Sequence, residues 1–554
     1  MGSKRSARRA PGLHVPDRAQ GPATARTDDA AWRRAGIIAL LVATTAFAVV
    51  AIGFHSVGDY STETDFYGAY ALGAEALRSG HFDPSRYGAY GPVYELALAS
   101  VGFVCRDLFA AAKLVSLASA AAILVLSWDL VGRRFGARAA FWLVSLLAVS
   151  PTFGRYAISA CGDMLGAAWM MACMWVLLSR RVPATAAAAA LAGMFAALGA
   201  LTRYNLVCLV PAGLVLLLLE GRQSRWAASG AFLAAFLALT VPFTLAMMSA
   251  RHLPGETLMR DASFYLGDSP SLELERRYGG GGGGMDPQVG GGWVLVAKRF
   301  AAGVPSHLLG DARTLLGWPV AGLVLVGLVG LAAARRLGTL APFAPFLAFG
   351  FLALAPVYYS DRYSLSILPL YLLPAASMLG TAGRNTAGAL TIIAIAAGGY
   401  SARESFQLQR YVARSIPTEA LESARVLRRI AGRGERIMAR KAHIAWLAGL
   451  EPVLMPDAPS LDSLASYCRA RGVRWIYFSW LEGRLRSQFR YLLDTTATPP
   501  GLTVVHVTSN KPSVTYRIGT SFGAQPPWWG NELIERQIRE RVTSLLGAAP
   551  KGPD

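Results

Sequence analysis

Charged residues are few in this chain. Asp, Glu, Lys and Arg make up 16% of its 554 residues, against about 25% in an average soluble domain. Hydrophobic residues account for 53%, and the mean hydropathy is +0.37. With repeated apolar runs of about 18 residues or more, this is a multi-pass membrane protein and not a soluble one. Cysteine is sparse too. The 5 Cys are scattered without a C-x-x-C pair, so they form neither a disulfide framework nor a zinc site, and they carry no redox information. No Walker loop, G-x-S-x-G, H-E-x-x-H or strand-borne G-x-G-x-x-G occurs in context. Those absences argue against a nucleotide-driven pump and against a soluble-type nucleotide-sugar transferase.

What the chain has in excess is positive charge, a formal +20. No basic–aromatic groove or reader motif accompanies it, so no nucleic-acid partner is expected. The basic residues lie between apolar runs, where they set topology. Apolar segments fall at 35–54, 109–131, 138–152, 163–179, 184–202, 205–220, 226–249, 315–333, 340–357, 363–380 and 386–400. Arg33 and Arg34 precede the first. Arg133, Arg134 and Arg138 follow the second, Arg180 and Arg181 the fourth, and Arg222 and Arg225 the sixth. Arg335 and Arg336 follow the eighth, and Arg384 the tenth. Every even-numbered exit is basic, which predicts an inner N-terminus, about eleven transmembrane helices and an outer C-terminus.

The expected fold is therefore a polytopic all-α membrane domain with a C-terminal extracytoplasmic α/β domain. Residues 1–34 read as a basic, disordered cytoplasmic tail. Residues 35–400 read as the membrane domain, with a first outer loop at 55–106 and a glycine-rich outer loop at 251–314. In the latter, Gly279–Gly284 and Gly290–Gly292 read as a flexible lid or a disordered insert. Residues 401–554 alternate as a soluble α/β module does. Helices are expected at Pro417–Ile430, Leu461–Arg471, Leu485–Leu493 and Asn531–Leu546. Strands are expected at Arg436–Ala439 and Val473–Phe478, with a hairpin of Leu502–Thr508 and Ser513–Ile518.

Chemistry-bearing residues gather at the outer helix ends. Asp59, Glu63 and Asp65 appear as the chain leaves its first apolar run, in TETDFYGAY. A carboxylate at the lipid boundary suits a general base that takes a proton from an acceptor hydroxyl; a solvated loop acid or an N-cap is the plainer reading of Asp65. Arg155 and Asp163 bracket the short turn PTFGRYAISACGD. Asp163 fits either a helix N-terminal cap or a role beside Asp65 in holding an acceptor or a divalent metal. Thr202-Arg203-Tyr204 interrupts a long apolar stretch, with Asn205 as its turn signal. A guanidinium at that depth suits a lipid phosphate, or else snorkels to headgroups. Asp361-Arg362-Tyr363 gives a further phosphate or sugar contact, or an ion pair within an aromatic belt. Lys113 is a lone cation near an outer helix end, and His252 a lone metal or phosphate candidate.

These motifs resemble those of the GT-C glycosyltransferases, in the branch of the protein O-mannosyltransferases and lipid A aminoarabinose transferases. The matching stretches are TETDFYGAYALGAEALRSGHF, the Gly-Pro-Val-Tyr approach to segment two, RRFG, GDMLGAAW, ALGALTRYNLVCLVP, DRYSLSILPLYLLP, ARKAHIAWLAGLEPVLMP and GVRWIYF. The resemblance implies a polyprenyl-phosphate sugar donor, catalysis at the outer face and inversion at the anomeric carbon. It makes Asp65 the base and Asp163 the second acid. It puts Arg203 near the carrier phosphate and makes Arg362 the late cation. Tyr363 and Lys113 are further candidate phosphate contacts, and Glu63, Asp59, Tyr67, Arg155 and Tyr204 candidate substrate or acceptor contacts. Asp65, Asp163 and His252 are the candidate metal ligands. The family's paired Asp-Glu is here Asp65-Phe66, with Glu63 or Asp59 as substitutes.

The expected function is transfer of a hexosyl or pentosyl group from a polyprenyl phosphate to an outer-face lipid, glycan or protein, in the inner (plasma) membrane. A secondary transporter or polyprenyl-lipid flippase would instead carry ionisable groups near mid-membrane and repeated broken helices. A non-catalytic outer scaffold would need only one span.

Overall fold

The computed structural model describes residues 23–179, 185–219, 225–256 and 292–548. The glycine-rich stretch at 279–291, residues 1–22, and Arg180, Arg181 and Arg222 lie outside the described residues. Helix α1 spans Ala23–Gly53. Residues 23–34 are therefore helical, and the expected tail is corrected there: this segment is rich in Ala, and Asp29 pairs with Arg33 one turn on at 2.9 Å, a spacing that supports helix.

The first outer loop carries a π-helical turn, Phe66–Tyr70, which runs into α2 (Ala71–Arg78), and then α3 (Val93–Gly102). Asp107 caps α4 (Leu108–Phe135), accepting from the backbone N–H of Phe109 and Ala110. Helix α5 (Ala137–Val149) and α6 (Pro151–Ile158) meet at a 68° bend. Ser150 caps α6 and Pro151 opens it; a proline, lacking an N–H, removes a hydrogen bond from the preceding helix and suits the first turn of the next. Helices α7 (Asp163–Leu178) and α8 (Ala186–Ala200) follow. A 3-10 turn at Tyr204–Cys208 leads into α9 (Leu209–Leu219), and α10 is Arg225–Ser249.

After the undescribed stretch comes α11 (Gly292–Gly310), then a π-turn at Asp311–Leu315 and a 114° bend into α12 (Trp318–Ala333). Helix α13 (Ala344–Leu354), α14 (Asp361–Ser364) and α15 (Leu368–Thr381) precede α16 (Arg384–Ser415). Helices thus occupy each expected apolar segment. Among the described residues five are long and apolar enough to cross a bilayer alone, or seven if each bent pair counts as one span. Helix α16 has no break at residue 400, the expected domain boundary, and carries the chain directly into the C-terminal region.

That region is built on a five-stranded mixed sheet of order β2-β1-β3-β5-β4. Its helices are α17 (Thr418–Ile430), α18 (His443–Ala448), α19 (Leu461–Ala470), α20 (Trp480–Leu485) and α21 (Glu532–Ala548). The strands are β1 (Arg436–Ala439), β2 (Glu451–Leu454), β3 (Val473–Ser479), β4 (Leu502–Thr508) and β5 (Ser513–Ile518). Strands β1, β2 and β3 pair in parallel, and β3, β5 and β4 antiparallel. Apolar residues cover both faces. Ile437, Trp475 and Tyr477 meet α17 and α18 on one side, and Met438, Ile476 and Phe478 meet α19 and α21 on the other. A separate cluster joins the first outer loop to this region. Phe66, Tyr67 and Tyr70 share it with Val412, Ile416 and Ala442.

Candidate active site

Four charged side chains from four places in the chain meet in one row. Asp65 immediately precedes the π-helical turn. Asp163 opens α7, where the positive end of the helix dipole favours a carboxylate. Arg203 lies in the turn between α8 and α9, and Arg362 in α14. Asp163 Oδ2 accepts from Arg203 Nη2 at 2.6 Å and from Arg362 Nε at 2.7 Å. Arg362 Nη2 also donates to Asp65 Oδ2 at 3.2 Å. The order is therefore Asp65–Arg362–Asp163–Arg203.

The two acids differ in access. The Asp65 side chain is 43% exposed and that of Asp163 only 5%. Asp163 is committed to holding two guanidiniums apart and in place, whereas Asp65 keeps an open face. A small cleft opens beside Asp163, lined by Asp163, Arg203, Asn205, Arg362, Tyr363 and Ser366, with Ala167 and Leu206 on its apolar side. Asn205 read only as a turn residue in the sequence. Ser366, one helical turn after Arg362, carried no signal of its own.

Several candidate residues have structural positions instead. Glu63 is fully buried, accepts from the backbone N–H of Asp59 at 2.8 Å and of Ala160 at 2.6 Å, and lies 2.8 Å from His55 Nε2. Asp59 accepts from the N–H groups of Ser61, at 2.8 Å, and Thr62, at 2.5 Å. Burial would raise its carboxyl, but the Arg155 guanidinium and those N–H groups hold it below the ordinary value. Both acids satisfy buried backbone donors.

Arg155 donates to Ser61 Oγ at 3.2 Å and to the Thr62 hydroxyl, and stands 3.5 Å from Asp59. It ties the loop to α6. Tyr67 is buried, its hydroxyl accepting from Gly58 N–H at 2.9 Å and its ring lying 4.2 Å from that of His443. Tyr204 donates to the Tyr87 carbonyl at 2.6 Å. Lys113 donates to the carbonyls of Ala51, at 2.6 Å, and His55. It thus caps the end of α1: a buried ammonium needs acceptors, and helix-end carbonyls supply them. Tyr363 lines the cleft, and its hydroxyl meets that of Tyr358 at 3.0 Å.

His252 is turned toward Glu256, one turn on. Both guanidiniums occupy Asp163. Among the described residues no group of three His, Cys, Asp or Glu is placed to hold a metal ion, so the candidate set Asp65, Asp163 and His252 is not assembled.

Residues 91–247 match the family model described as dolichyl-phosphate-mannose-protein mannosyltransferase. Among solved structures, ArnT from Cupriavidus metallidurans bound to undecaprenyl phosphate has a TM-score of 0.54 at 14% identity. That match covers 88% of this chain and 99% of that one. The oligosaccharyltransferase AglB from Archaeoglobus fulgidus, in complex with an inhibitory peptide and a dolichol-phosphate, has a TM-score of 0.54 at 13% identity, over 81% of this chain and 70% of that one. No curated protein matches the sequence. Residues 91–247 are thus similar to the mannosyltransferase family model, and over most of its length the chain shares the fold of ArnT and AglB.

Proposed function

We propose that the protein transfers a sugar from a polyprenyl phosphate to a hydroxyl of a lipid, glycan or protein at the outer face of the plasma membrane. The observation that carries this reading is the half-exposed Asp65 carboxylate at one end of a row that also holds two guanidiniums beside a cleft. In this mechanism the acceptor oxygen attacks the anomeric carbon while Asp65 takes its proton. The bond from that carbon to the phosphate oxygen breaks with inversion, and the polyprenyl phosphate leaves with the electron pair. Arg203 and Arg362 offset the charge that grows on the leaving phosphate. Asp163 orients those two guanidiniums. The neighbours' ligands, undecaprenyl phosphate in ArnT and dolichol-phosphate in AglB, support this class of donor.

The orientation that goes with the mechanism is eleven spans with the N-terminus inside and residues 401–554 outside. The experiment is transfer by the purified protein from radiolabelled polyprenyl-phosphate sugars to cell-envelope acceptors. Asp65→Asn is expected to lower the rate by at least about 10²-fold at unchanged expression. Full activity in that variant removes Asp65 as the base.

A further inference from the structure

Most buried tyrosines whose hydrogen bonds can be followed have a partner. Tyr87 donates to Glu95 at 2.8 Å, Tyr67 accepts from Gly58 N–H at 2.9 Å, and Tyr516 donates to the Leu492 carbonyl at 2.7 Å. Tyr70 and its neighbour Tyr94 are different: they are 1% and 0% exposed, and neither hydroxyl has a hydrogen-bond partner among the described residues. Of the two, Tyr70 is the one on which the Arg203 and Arg362 guanidiniums act. A buried hydroxyl left unpaired is destabilising, so such a group calls for an explanation.

Its position supplies one. Tyr70 ends the π-helical turn that follows Asp65, and such wide turns occur often at functional sites. The rings of Tyr90, at 4.5 Å, and Tyr94, at 4.8 Å, hold it from the sides. The charged groups that act on its phenol are Arg203, Asp65 and Arg362, three of the four members of the charged row. Burial raises the phenol well above its ordinary range, so at neutral pH it keeps its proton and presents a donor. Arg203 and Arg362 have no acceptor atoms to offer it. The ligand that fits beside two guanidiniums and a phenol O–H is one rich in acceptor oxygens.

We propose that the Tyr70 hydroxyl is a ligand contact, donating a hydrogen bond to a phosphate oxygen of the lipid-linked donor beside Arg203. The identity of that donor rests on the function proposed above; the buried, unpartnered hydroxyl does not. The residue is held in an unfavourable state without ligand, and the ligand relieves it.

Tyr70→Phe tests this, because it removes one oxygen and keeps the ring packing. The probe is undecaprenyl phosphate without a sugar, titrated onto the purified full-length protein in detergent, with thermal midpoints read with and without it. The variant is expected to melt at the wild-type temperature or above when ligand-free, and to bind the probe about 10- to 100-fold more weakly, the range for a hydrogen bond to a charged group. Stability and affinity thus move in opposite directions, which a merely structural hydroxyl would not produce. A variant that melts lower and binds the probe as tightly as wild type overturns the proposal. So does equal affinity at an unchanged midpoint. Wild-type protein that fails to bind undecaprenyl phosphate, with or without an appended sugar, removes the donor assignment itself, and this contact with it. Binding by wild type with no loss in Tyr70→Phe removes the contact alone.

Discussion

Asp163 carries two guanidiniums on one carboxylate oxygen, within a side chain that is almost wholly buried. Taking charge from one member of a buried ionic group leaves the others uncompensated. Asp163→Asn is therefore expected to destabilise the protein by about 3–5 kcal/mol, measured as the shift of the denaturant or thermal midpoint in detergent. A loss under about 1 kcal/mol would mean that the arginines find other partners. At this scale the sequence exposed which side chains matter but not what they touch. An ionisable residue interrupting an apolar run stands out, as Arg203 and Asp163 did, because it is costly there unless paired. Asp59 and Glu63 stood out because they follow directly on the first apolar run, and they serve backbone N–H groups. Tyr70 gave no signal, since a tyrosine in a loop rich in tyrosine is unremarked until its hydroxyl is seen to lack a partner.

Among the elements, the strand-like run β3 and the hairpin β4–β5 were legible from alternation and the Asn510-Lys511-Pro512 turn, whereas β2 and α18 were not. They are too short for a periodicity to develop, and the run Leu485–Leu493, expected as a helix, is divided between α20 and a 3-10 turn at Ser487–Leu493. The short α18 matters most, because it brings His443 onto the first outer loop. His443 Nε2 meets the Asp59 carbonyl at 3.1 Å. From α17, Glu419 accepts from Trp480 at 3.1 Å and Tyr60 at 3.3 Å, with Tyr477 and Lys511 near it.

Burial acts on both groups. It pushes the Glu419 carboxyl up to about 7, against those hydrogen bonds, and the His443 ring down to about 3, against the Asp59 carbonyl. The ordinary values are 4.5 and 6.5. Stability from neutral Glu419 is complete below 4.5 and is lost as pH rises through about 7. Stability from neutral His443 is complete above 6.5 and is lost as pH falls toward about 3. Between 4.5 and 6.5 the two slopes oppose each other, each at most about 1.4 kcal/mol per pH unit. Glu419→Gln removes the first slope, so its thermal midpoint is expected to fall more steeply than that of wild type on acidification from pH 6.5 to 4.5. Parallel curves for the two proteins would show that Glu419 does not titrate in this window.

For the molecule as a whole, hydropathy located the helices of the membrane domain well, because a segment with no water to satisfy its backbone must be helical. It did not show that several of these helices are bent or short. Proline at 151 was visible, but its effect depends on whether the chain turns there or kinks and continues. The proposed orientation puts Ser79 and Ser466 on the outer side and Thr339 on the inner side; Ser79, Ser466 and Thr339 are all exposed. Single cysteines at these positions, in a protein freed of its own Cys, are expected to react with an impermeant maleimide on intact cells at 79 and 466 only. Reaction at 339 alone would invert the molecule. The long helix α16 has a metric consequence. Its 32 residues measure about 48 Å at 1.5 Å each, while the hydrocarbon layer is about 30 Å thick. It is a ruler that sets the height of the sheet region above the bilayer, and also a dial. One residue added within it would turn that region by about 100° and lift it by about 1.5 Å, swinging His443 away from the loop that presents Asp65.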